Sequence, residues 1–473
     1  MLAQSESLAH SNGLESIVIP RSQHADDSIS RLEVASVGAG DGRRVLGVGY
    51  VGSCLKDDKL GHYLWVALAL HHRQRVRVTC FATGVSVTSA DTLWKANILG
   101  VCDDGYDLSG KTDSDAVTDI NSHGLNILVD LDGWNHGGRP ALLAARPAPV
   151  ITHLIQFPGS TGMPCVDYFV TDRVTSPPEL AGPEAFSESL VFLPPTYQLL
   201  PQAPLADAAV REMKHNGRNS QLALQLAPYT TLVLSQARNA TIRGLLRERA
   251  GLPDEGVFVY ASFNQLYKID RAALKAWAAV LRRRADAVLW IILFAPEAEQ
   301  HLRSTLREFG LDDDGEEEEE RETRRKRRRI VFTSALALHQ HMTVKAIADV
   351  LLDTTAFNAH STLGDALHAG VPAVTLPGEK VAARVASGIL TGGQLEMMIA
   401  RTWTDYVDVA ARVGRRDRWE WRERVSRGKS AFDVGRWVDG WERALAAMCE
   451  EQAGTWTREG AESAGAEQRR LHV

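Results

Sequence analysis

One stretch, 353–378 (DTTAFNAHSTLGDALHAGVPAVTLPG), constrains the fold of this chain more than any other. The apolar run before it, 348–352, is typical of a buried parallel strand. A polar turn follows, HST at 360–362 opens a helical pattern, and Gly370 and Pro372 end that pattern before another apolar run. This order of strand, loop, helix and strand predicts an open α/β sheet, with a phosphate-binding helix N-terminus at the carboxyl end of a strand. A capped helix in any α/β domain is the alternative interpretation.

A second stretch, 257–270 (VFVYASFNQLYKID), has the same organisation. Its first six residues predict a strand, and Asp270 begins an amphipathic helical pattern over 271–283. Lys268 therefore lies on a strand-to-helix loop, where a lysine can meet a diphosphate as a point charge. A lone exposed lysine is more often only a solvated charge. Two polar strand-end loops in one half of the chain favour a shared anionic ligand.

Five motifs occur in the chain in a fixed order: VGYV at 48–51, ILVDLDGWNHGGR at 127–139, RPAPV through DYFVTD at 146–172, FNQLYKID at 263–270, and LLDT through VTLPGE at 351–379. Together they resemble the catalytic region of the protein O-linked N-acetylglucosamine transferases, which form glycosyltransferase family 41 with the Spindly relatives. The Spindly proteins share the last motif in looser form. The motifs are long and specific, and the resemblance covers roughly residues 44 to 415.

The resemblance implies an α/β fold of the GT-B type, with two doubly wound Rossmann-like lobes and the active site in the cleft between them. The alternation of strand and helix patterns independently favours parallel doubly wound sheets. The boundaries that we expect are a disordered tail over 1–43, an N-terminal catalytic lobe on the acceptor side over 44–200, an inter-lobe connection over 201–240, a C-terminal lobe that binds the nucleotide sugar over 241–415 with a charged insertion at 312–329, a closing helix over 416–450, and a disordered tail over 451–473.

The resemblance also implies a set of residues that bind the sugar donor in the C-terminal lobe. Lys268 takes the cationic role at the diphosphate, and Ser361 with Thr362 supplies the helix N-terminus that faces it. The other assignments are Gln265 as a nucleotide contact, Asp365 as the carboxylate for the ribose hydroxyls, His341 as the histidine that stacks on uracil, and His360 as a neighbour of the diphosphate. As purely structural residues, the two histidines would instead start or cap helices.

The acceptor side departs from the family pattern. Relatives usually place H-P-x-S-H in the loop after VGYV, whereas this chain reads KDDKLGH at 56–62. The alignment puts Asp58 on the first histidine and His62 on the second. A carboxylate can accept a proton, although an unperturbed one is a weak base at neutral pH. Asp130 and Asp132 are expected as further carboxylates that face the cleft, so the expected catalytic residues are Lys268, Asp58, Asp130 and His62.

Two further departures concern charge near the nucleotide. A lysine and an arginine that relatives place around the uracil histidine are replaced by Leu338 and Val344. The expected reaction is inverting transfer of N-acetylglucosamine from UDP to Ser or Thr hydroxyls of intracellular proteins. The alternatives are transfer of fucose from GDP-fucose, as in the Spindly type, and a catalytically weak member that binds nucleotide or partners. FNQLYKID favours the first reaction, because the fucosyl relatives read more like F-N-N-L-x-K.

No metal or other cofactor is expected. The Asp130-x-Asp132 pair resembles the DxD motif of metal-dependent glycosyltransferases, but it lies in the acceptor lobe. The expected partners are a nucleotide sugar and protein acceptors. A net charge of −6 argues against a general nucleic-acid binder, and the sequence has no apolar run of the ~20 residues that a membrane span needs.

The expected location is the cytoplasm or the nucleus. The five cysteines are scattered without CxxC pairs, which suits reduced thiols. A basic run, 324–329 (RRKRRR), follows an acidic one and is either a nuclear localisation signal or a surface insertion whose two charge blocks pair with each other. We favour the surface insertion.

Overall fold

The computed structural model describes residues 37–38, 44–215, 240–253, 256–311, 329–334, 345–415, 418–427 and 429–458. Within these ranges the chain forms two predominantly parallel sheets with helices in the connections. The predicted α/β class with two Rossmann-like lobes is therefore confirmed. No helix among these residues is both long and apolar enough to cross a membrane.

The first lobe is built on an eight-stranded sheet. Its strands are β1 (Val37–Gly38), β2 (Arg44–Gly52), β3 (Val76–Ala82), β4 (Asp104–Asp107), β5 (Ile127–Asp130), β6 (Val150–His153), β7 (Tyr168–Thr171) and β8 (Ser189–Phe192). The order is β4-β3-β2-β5-β6-β7-β8 with parallel neighbours, and β1 is antiparallel to β2. β5 and β6 are buried along their whole length, as expected for parallel strands covered on both faces.

Helices fill the connections of the first sheet. They are α1 (Lys59–Leu70), α2 (Ser89–Gly100), α3 (Asp113–Ser122) and α4 (Pro140–Ala144). Side chains fix where two of them begin, since Asp58 accepts from the Leu60 N–H at 2.8 Å and Thr88 forms a capping box with Asp91. Because α1 follows β2 through a short loop, its N-terminus lies at the carboxyl edge of the sheet.

The second lobe is built on a five-stranded parallel sheet in the order β11-β10-β9-β12-β13. Its strands are β9 (Phe258–Ser262), β10 (Ala287–Leu293), β11 (Ile330–Ser334), β12 (Val350–Leu352) and β13 (Ala373–Val374). The later helices are α5 (Gln202–His215), α6 (Ala240–Arg249), α7 (Arg271–Arg283), α8 (Ala298–Glu308), α9 (Ser361–His368), α10 (Val385–Gly392), α11 (Trp403–Arg415), α12 (Arg418–Arg427) and α13 (Val434–Arg458).

Each sheet has one point where the strand order reverses. In the first lobe it lies between β2 and β5, and in the second it lies between β9 and β12. Ligands of open α/β sheets bind outside the carboxyl ends of the strands at such a point. Both sequence motifs of the second lobe begin there, because Lys268 follows β9 and the loop 353–360 follows β12.

The last helix, α13, packs against the first lobe. Its Trp441 Nε1 donates to the Tyr50 hydroxyl at 2.7 Å, and its Glu442 carboxylate accepts from the His72 N–H at 2.7 Å. One buried apolar cluster contains residues of this helix and of both sheets. The chain thus returns to the first lobe after building the second.

The preceding helix, α12, is held by the second lobe instead. Arg422 Nη2 donates to the carbonyl of Ala346 at 2.6 Å. The two helices are separate because Asp433 accepts from the Arg436 N–H at 3.0 Å and so caps a new helix. The single closing helix predicted over 416–450 is therefore wrong.

The two predicted disordered tails are each partly wrong. Val37–Gly38 pairs with β2, and α13 continues to Arg458. Within this last part of α13, Glu451 accepts from the Tyr168 hydroxyl at 2.9 Å. Residues 1–36 and 459–473, and residues 312–328 of the charged insertion, lie outside the described residues. The boundaries between the lobes stay predictions.

The prediction of five reduced cysteines is contradicted by a disulfide between Cys80 and Cys102. Cys80 lies on β3, and Cys102 lies just before β4, which pairs with β3. The strand pairing brings the two Cα atoms to 6.1 Å, although 22 positions separate them in sequence. The other three cysteines are free thiols.

Candidate active site

Lys268 ends a short 3₁₀ turn between β9 and α7. Its ammonium donates to the Asn358 carbonyl at 2.9 Å and lies 3.9 Å from the centre of the Phe357 ring. Burial lowers the pKa of Lys268 to about 8, although the Asp353 carboxylate opposes the shift. The side chain is thus a cation at neutral pH, bound to a neutral carbonyl and an aromatic face.

The loop 353–360 is fixed by the carboxylate of Asp353. One oxygen accepts from Asn264 Nδ2 at 3.1 Å and from the Ala359 N–H at 2.7 Å, and the other accepts from Thr375 Oγ1 at 2.7 Å. Burial raises the pKa of Asp353 to about 6 in spite of these bonds. Because the carboxylate ties the start of the loop to its end, the carbonyl that Lys268 contacts and the start of α9 have fixed positions.

The helix α9 begins directly after this loop. His360 is its N-cap residue, but the imidazole does not cap the helix, and its Nε2 donates to the Ala382 carbonyl at 3.2 Å. Burial and the nearby Lys268 ammonium lower the pKa of His360 to about 3, so the ring is neutral. Ser361 and Thr362 form the first turn, where backbone N–H groups have no acceptor within the helix. These groups provide an anion-binding surface beside Lys268.

Asp365, one turn further along α9, is buried at the junction of the lobes. Its Oδ2 contacts the ammonium groups of Lys345, at 2.8 Å, and of Lys59. Its Oδ1 accepts from the Tyr63 hydroxyl at 3.1 Å and from Gln202 Nε2 at 3.3 Å. Lys59 and Tyr63 belong to α1 of the first lobe, so this carboxylate joins the two lobes.

The charges of this cluster follow from its burial. Burial alone would raise the pKa of Asp365, but Lys345 and Lys59 hold it well below the ordinary range. Burial lowers the pKa of Lys345 to about 8 against the opposing effect of Asp365. The carboxylate expected to bind ribose hydroxyls is therefore an anion whose two oxygens already have four hydrogen-bond donors.

In the first lobe, Asp130 was expected to face the cleft, but it is buried. Its Oδ2 is 2.7 Å from His153 Nδ1 and accepts from the Gly133 N–H at 2.9 Å. Burial would lower the pKa of His153, but Asp130 raises it above the ordinary value, and Nε2 donates to the Phe157 carbonyl at 3.1 Å. Asp130 thus pairs with a buried imidazolium and holds the turn at Gly133, whose φ of +56° suits glycine. It is a positioning residue in this structure.

Asp132, the second carboxylate of the motif, is also buried rather than facing the cleft. It accepts from the Ser53 N–H at 2.7 Å and from Ser53 Oγ at 3.0 Å. Burial raises the pKa of Asp132 to about 6. Since Ser53 opens the loop between β2 and α1, Asp132 fixes the loop that leads to Lys59.

The two loop residues predicted to be catalytic have structural contacts. Asp58 caps α1, is partly buried, and directly precedes Lys59, whose ammonium contacts Asp365 of the second lobe. His62 is buried, stacks on the Trp94 ring at 3.8 Å between centres, and has its Nε2 2.9 Å from a carboxylate oxygen of Asp57. Because the His62 imidazole is buried and stacked on Trp94, it cannot contact an acceptor directly. The catalytic role of Asp58 stays a prediction.

The structure brings together most of the residues predicted to bind the sugar donor, namely Lys268, His360, Ser361, Thr362 and Asp365. Gln265 is exposed at the start of the Lys268 turn. His341, Leu338 and Val344 lie outside the described residues.

The sequence analysis missed five residues of the site and its support: Lys59, Lys345, Tyr63, Gln202 and His153. Two of them carried a signal in their sequence neighbours, because Lys345 directly follows a position where a family arginine is absent, and Lys59 directly follows Asp58. His153 could have been inferred from the adjacent strands, since β5 and β6 both end in a polar residue and pair Asp130 with His153.

Comparison with known families agrees with this geometry. Residues 34–203 and 236–431 match the model of glycosyl transferase family 41. The chain belongs to this family. The family predicted from the sequence motifs is thus confirmed.

Two named relatives show how this chain compares with longer members of family 41. Over 414 residues the chain is 31% identical to the probable UDP-N-acetylglucosamine–peptide N-acetylglucosaminyltransferase SEC of Arabidopsis thaliana, covering 86% of this chain and 37% of the relative. Over 447 residues it is 27% identical to the UDP-N-acetylglucosamine–peptide N-acetylglucosaminyltransferase of Caenorhabditis elegans, covering 78% of this chain and 37% of the relative. The chain thus spans little more than a third of the length of these relatives.

A solved O-GlcNAc transferase mutant of Thermobaculum terrenum superimposes with a TM-score of 0.70 at 25% identity, covering 89% of this chain and 71% of that one. The predicted GT-B fold of this family-41 chain is confirmed.

Substitution of Asp365 tests how much its carboxylate stabilises the lobe junction. Asp365→Asn leaves the buried Lys345 ammonium without a carboxylate in contact, so we expect unfolding at pH 7 to require about 3–5 kcal/mol less free energy. The difference should shrink as the pH falls below about 4, because a carboxyl with a lowered pKa loses its stabilising effect on acidification. Denaturant titration at several pH values measures both effects.

The matched control is Asp408→Asn, which removes an exposed ion pair with Arg283. We expect it to cost less than about 1 kcal/mol. If Asp365→Asn cost no more than this control, the junction carboxylate would not be what holds the lobes together.

Proposed function

We propose that this chain is an inverting glycosyltransferase that transfers N-acetylglucosamine from UDP-N-acetylglucosamine to Ser or Thr hydroxyls of proteins. The observation that carries the proposal is the site at the strand-order reversal of the second lobe. There a half-buried lysine, a fixed loop and a helix N-terminus lie together at the junction with the first lobe. The names of the relatives from Arabidopsis and Caenorhabditis support the choice of sugar donor and acceptor.

The leaving group determines the roles on the donor side. Departure of UDP places negative charge on the diphosphate, and Lys268 with the N–H groups of Ser361 and Thr362 meets this charge. Asp365 accepts from the ribose hydroxyls once one of its present partners has moved aside. Gln265, exposed beside Lys268, contacts the nucleotide. His360 remains neutral and adds no charge to the site.

In the transfer step, the acceptor oxygen attacks C1 of the sugar from the face opposite UDP. The bond between C1 and the diphosphate oxygen breaks, and its electron pair stays on the diphosphate. The hydroxyl proton passes to a carboxylate. Asp58 is our candidate because it is only partly buried and directly precedes Lys59, which reaches the second lobe, whereas Asp130 and Asp132 are buried. Attack from the opposite face inverts the configuration at C1.

The proposal places the reaction on protein acceptors in the cytoplasm or the nucleus, without nucleic acid or membrane as a partner. In a reducing compartment the Cys80–Cys102 disulfide would be open to reduction. The three free cysteines already suit such a compartment.

Side-by-side incubation with two labelled sugar donors tests the reaction. We expect label from UDP-N-acetylglucosamine to appear on a pool of Ser- and Thr-containing peptides, and label from GDP-fucose to stay in solution. Mass spectrometry of the peptides gives the mass of the transferred sugar. Transfer from GDP-fucose alone would replace the proposal with the Spindly-type reaction, and UDP binding without transfer of either sugar would favour a non-catalytic member.

Removal of the Lys268 ammonium tests the main diphosphate contact. A hydrogen bond to a charged group contributes about 1.5–3 kcal/mol, so Lys268→Ala should lower transfer to less than about a tenth of wild type. Wild-type kcat/KM should fall as the pH rises through about 8, where Lys268 loses its proton. Initial rates at several pH values measure both effects.

Lys275→Ala is the matched control, because Lys275 is an exposed lysine on the adjoining helix α7. It should transfer at the wild-type rate. Retained turnover in a folded Lys268→Ala protein would remove Lys268 from the mechanism.

We propose further that the transfer needs no divalent metal. The carboxylates of the DxD-like pair are engaged by His153 and Ser53, which leaves them poorly suited to hold a cation. Transfer should therefore continue at an unchanged rate in excess EDTA. A loss of activity that magnesium or manganese restores would contradict this part of the proposal.

A further inference from the structure

Two lysines compete for one oxygen atom at the lobe junction. The ammonium groups of Lys59 and Lys345 both contact Oδ2 of Asp365, while the other oxygen accepts from Tyr63 and Gln202. One carboxylate neutralises one ammonium, and two like charges at a single oxygen repel each other. The arrangement therefore holds more positive charge than its anion balances.

The excess extends to Lys268. Burial is the main cause of the lowered pKa of Lys268 and of Lys345, and the Lys59 ammonium lowers both further. The Lys59 ammonium thus lies within electrostatic range of both other ammonium groups. The carboxylates that oppose the lowered pKa values of Lys268 and Lys345 are Asp353 and Asp365, and the raised pKa of Asp353 makes it the weaker anion. Asp58, next to Lys59, accepts from the Leu60 N–H as the cap of α1. A region in which ammonium charge exceeds carboxylate charge is suited to an anionic ligand.

Lys59 is the member of the pair that can leave Asp365. Its side chain is 25% exposed, whereas that of Lys345 is 5% exposed. It also stands at the first position of α1, after a loop, and its four-carbon stem allows the ammonium to move without a change in the backbone. Lys345 lacks this freedom because it is enclosed beside Asp365.

We propose that Lys59, from the acceptor lobe, is a ligand of the diphosphate of the sugar donor. In the absence of ligand, Asp365 holds the Lys59 ammonium. When the nucleotide binds, the ribose hydroxyls replace the Lys59 ammonium at Asp365, and Lys59 donates to a diphosphate oxygen instead. The inference rests on the proposed function, since it assigns a further contact to the same diphosphate.

Binding of UDP and of uridine separates this role from a structural one. Isothermal titration is performed on the full chain as wild type, Lys59→Met and Lys59→Arg. We expect Lys59→Met to weaken UDP binding about tenfold or more, because a charge-assisted bond is lost. Uridine has no phosphate, so its affinity should change by less than about twofold. Lys59→Arg keeps the charge and should bind UDP more tightly than Lys59→Met.

Lys56→Met is the matched control, because Lys56 lies on the same loop and donates to the Val85 carbonyl instead. It should bind UDP as wild type does. Lys59→Gln, with a polar end group, is the second variant if the methionine protein does not fold.

Each outcome bears on the inference. Unchanged UDP affinity in Lys59→Met or Lys59→Gln overturns it, and so does an equal loss for UDP and uridine, which would show that Lys59 acts only through Asp365. Selective loss of UDP binding supports it. A wild-type chain that binds neither UDP nor UDP-N-acetylglucosamine would overturn the proposed function, which is a different result from a wild type and a Lys59→Met protein that bind UDP equally.

Discussion

The carboxylate of Asp365 is the interaction on which the arrangement of the two lobes depends. It is buried, it stands one turn into the helix that begins at the proposed diphosphate site, and it takes hydrogen bonds from Lys59 and Tyr63 of the first lobe. An isolated buried carboxylate is costly, and two lysines with two neutral donors offset that cost. One contact that joins the lobes is therefore also a contact at the ligand site.

Residues of the first lobe position the loop that leads to Lys59. Asp130, paired with a protonated His153, fixes the turn after β5. Asp132 in that turn holds Ser53, and Ser53 opens the loop that ends at Lys59. The DLD portion of the conspicuous sequence motif thus positions the acceptor-side loop. We expect removal of any of these groups to shift the loop, although Asp130, Asp132 and His153 are buried.

The sequence predicted the fold class and the two strand-end loops of the second lobe because their signals are local. FNQLYKID and the stretch from Asp353 to Gly378 each encode a strand, a loop and a helix start within a few positions. The Lys59–Asp365 contact joins residues 306 positions apart, and nothing in one sequence pairs them. The disulfide between Cys80 and Cys102 was not predicted for a related reason, since the proximity of the two residues depends on the pairing of β3 with β4. Asp130 was misjudged because a motif shows that a carboxylate is present but not which way it points.

The return of the chain from α12 to α13 has a mechanical consequence. Arg422 fastens α12 to the second lobe, and Trp441 fastens α13 to the first. The polypeptide therefore crosses between the lobes twice, once after β8 and once at the turn Lys429–Phe432. Two covalent crossings tether the lobes at two places, which restricts their separation more than a single linker would. The tethers therefore keep the surfaces that carry Lys59 and Asp365 opposite each other.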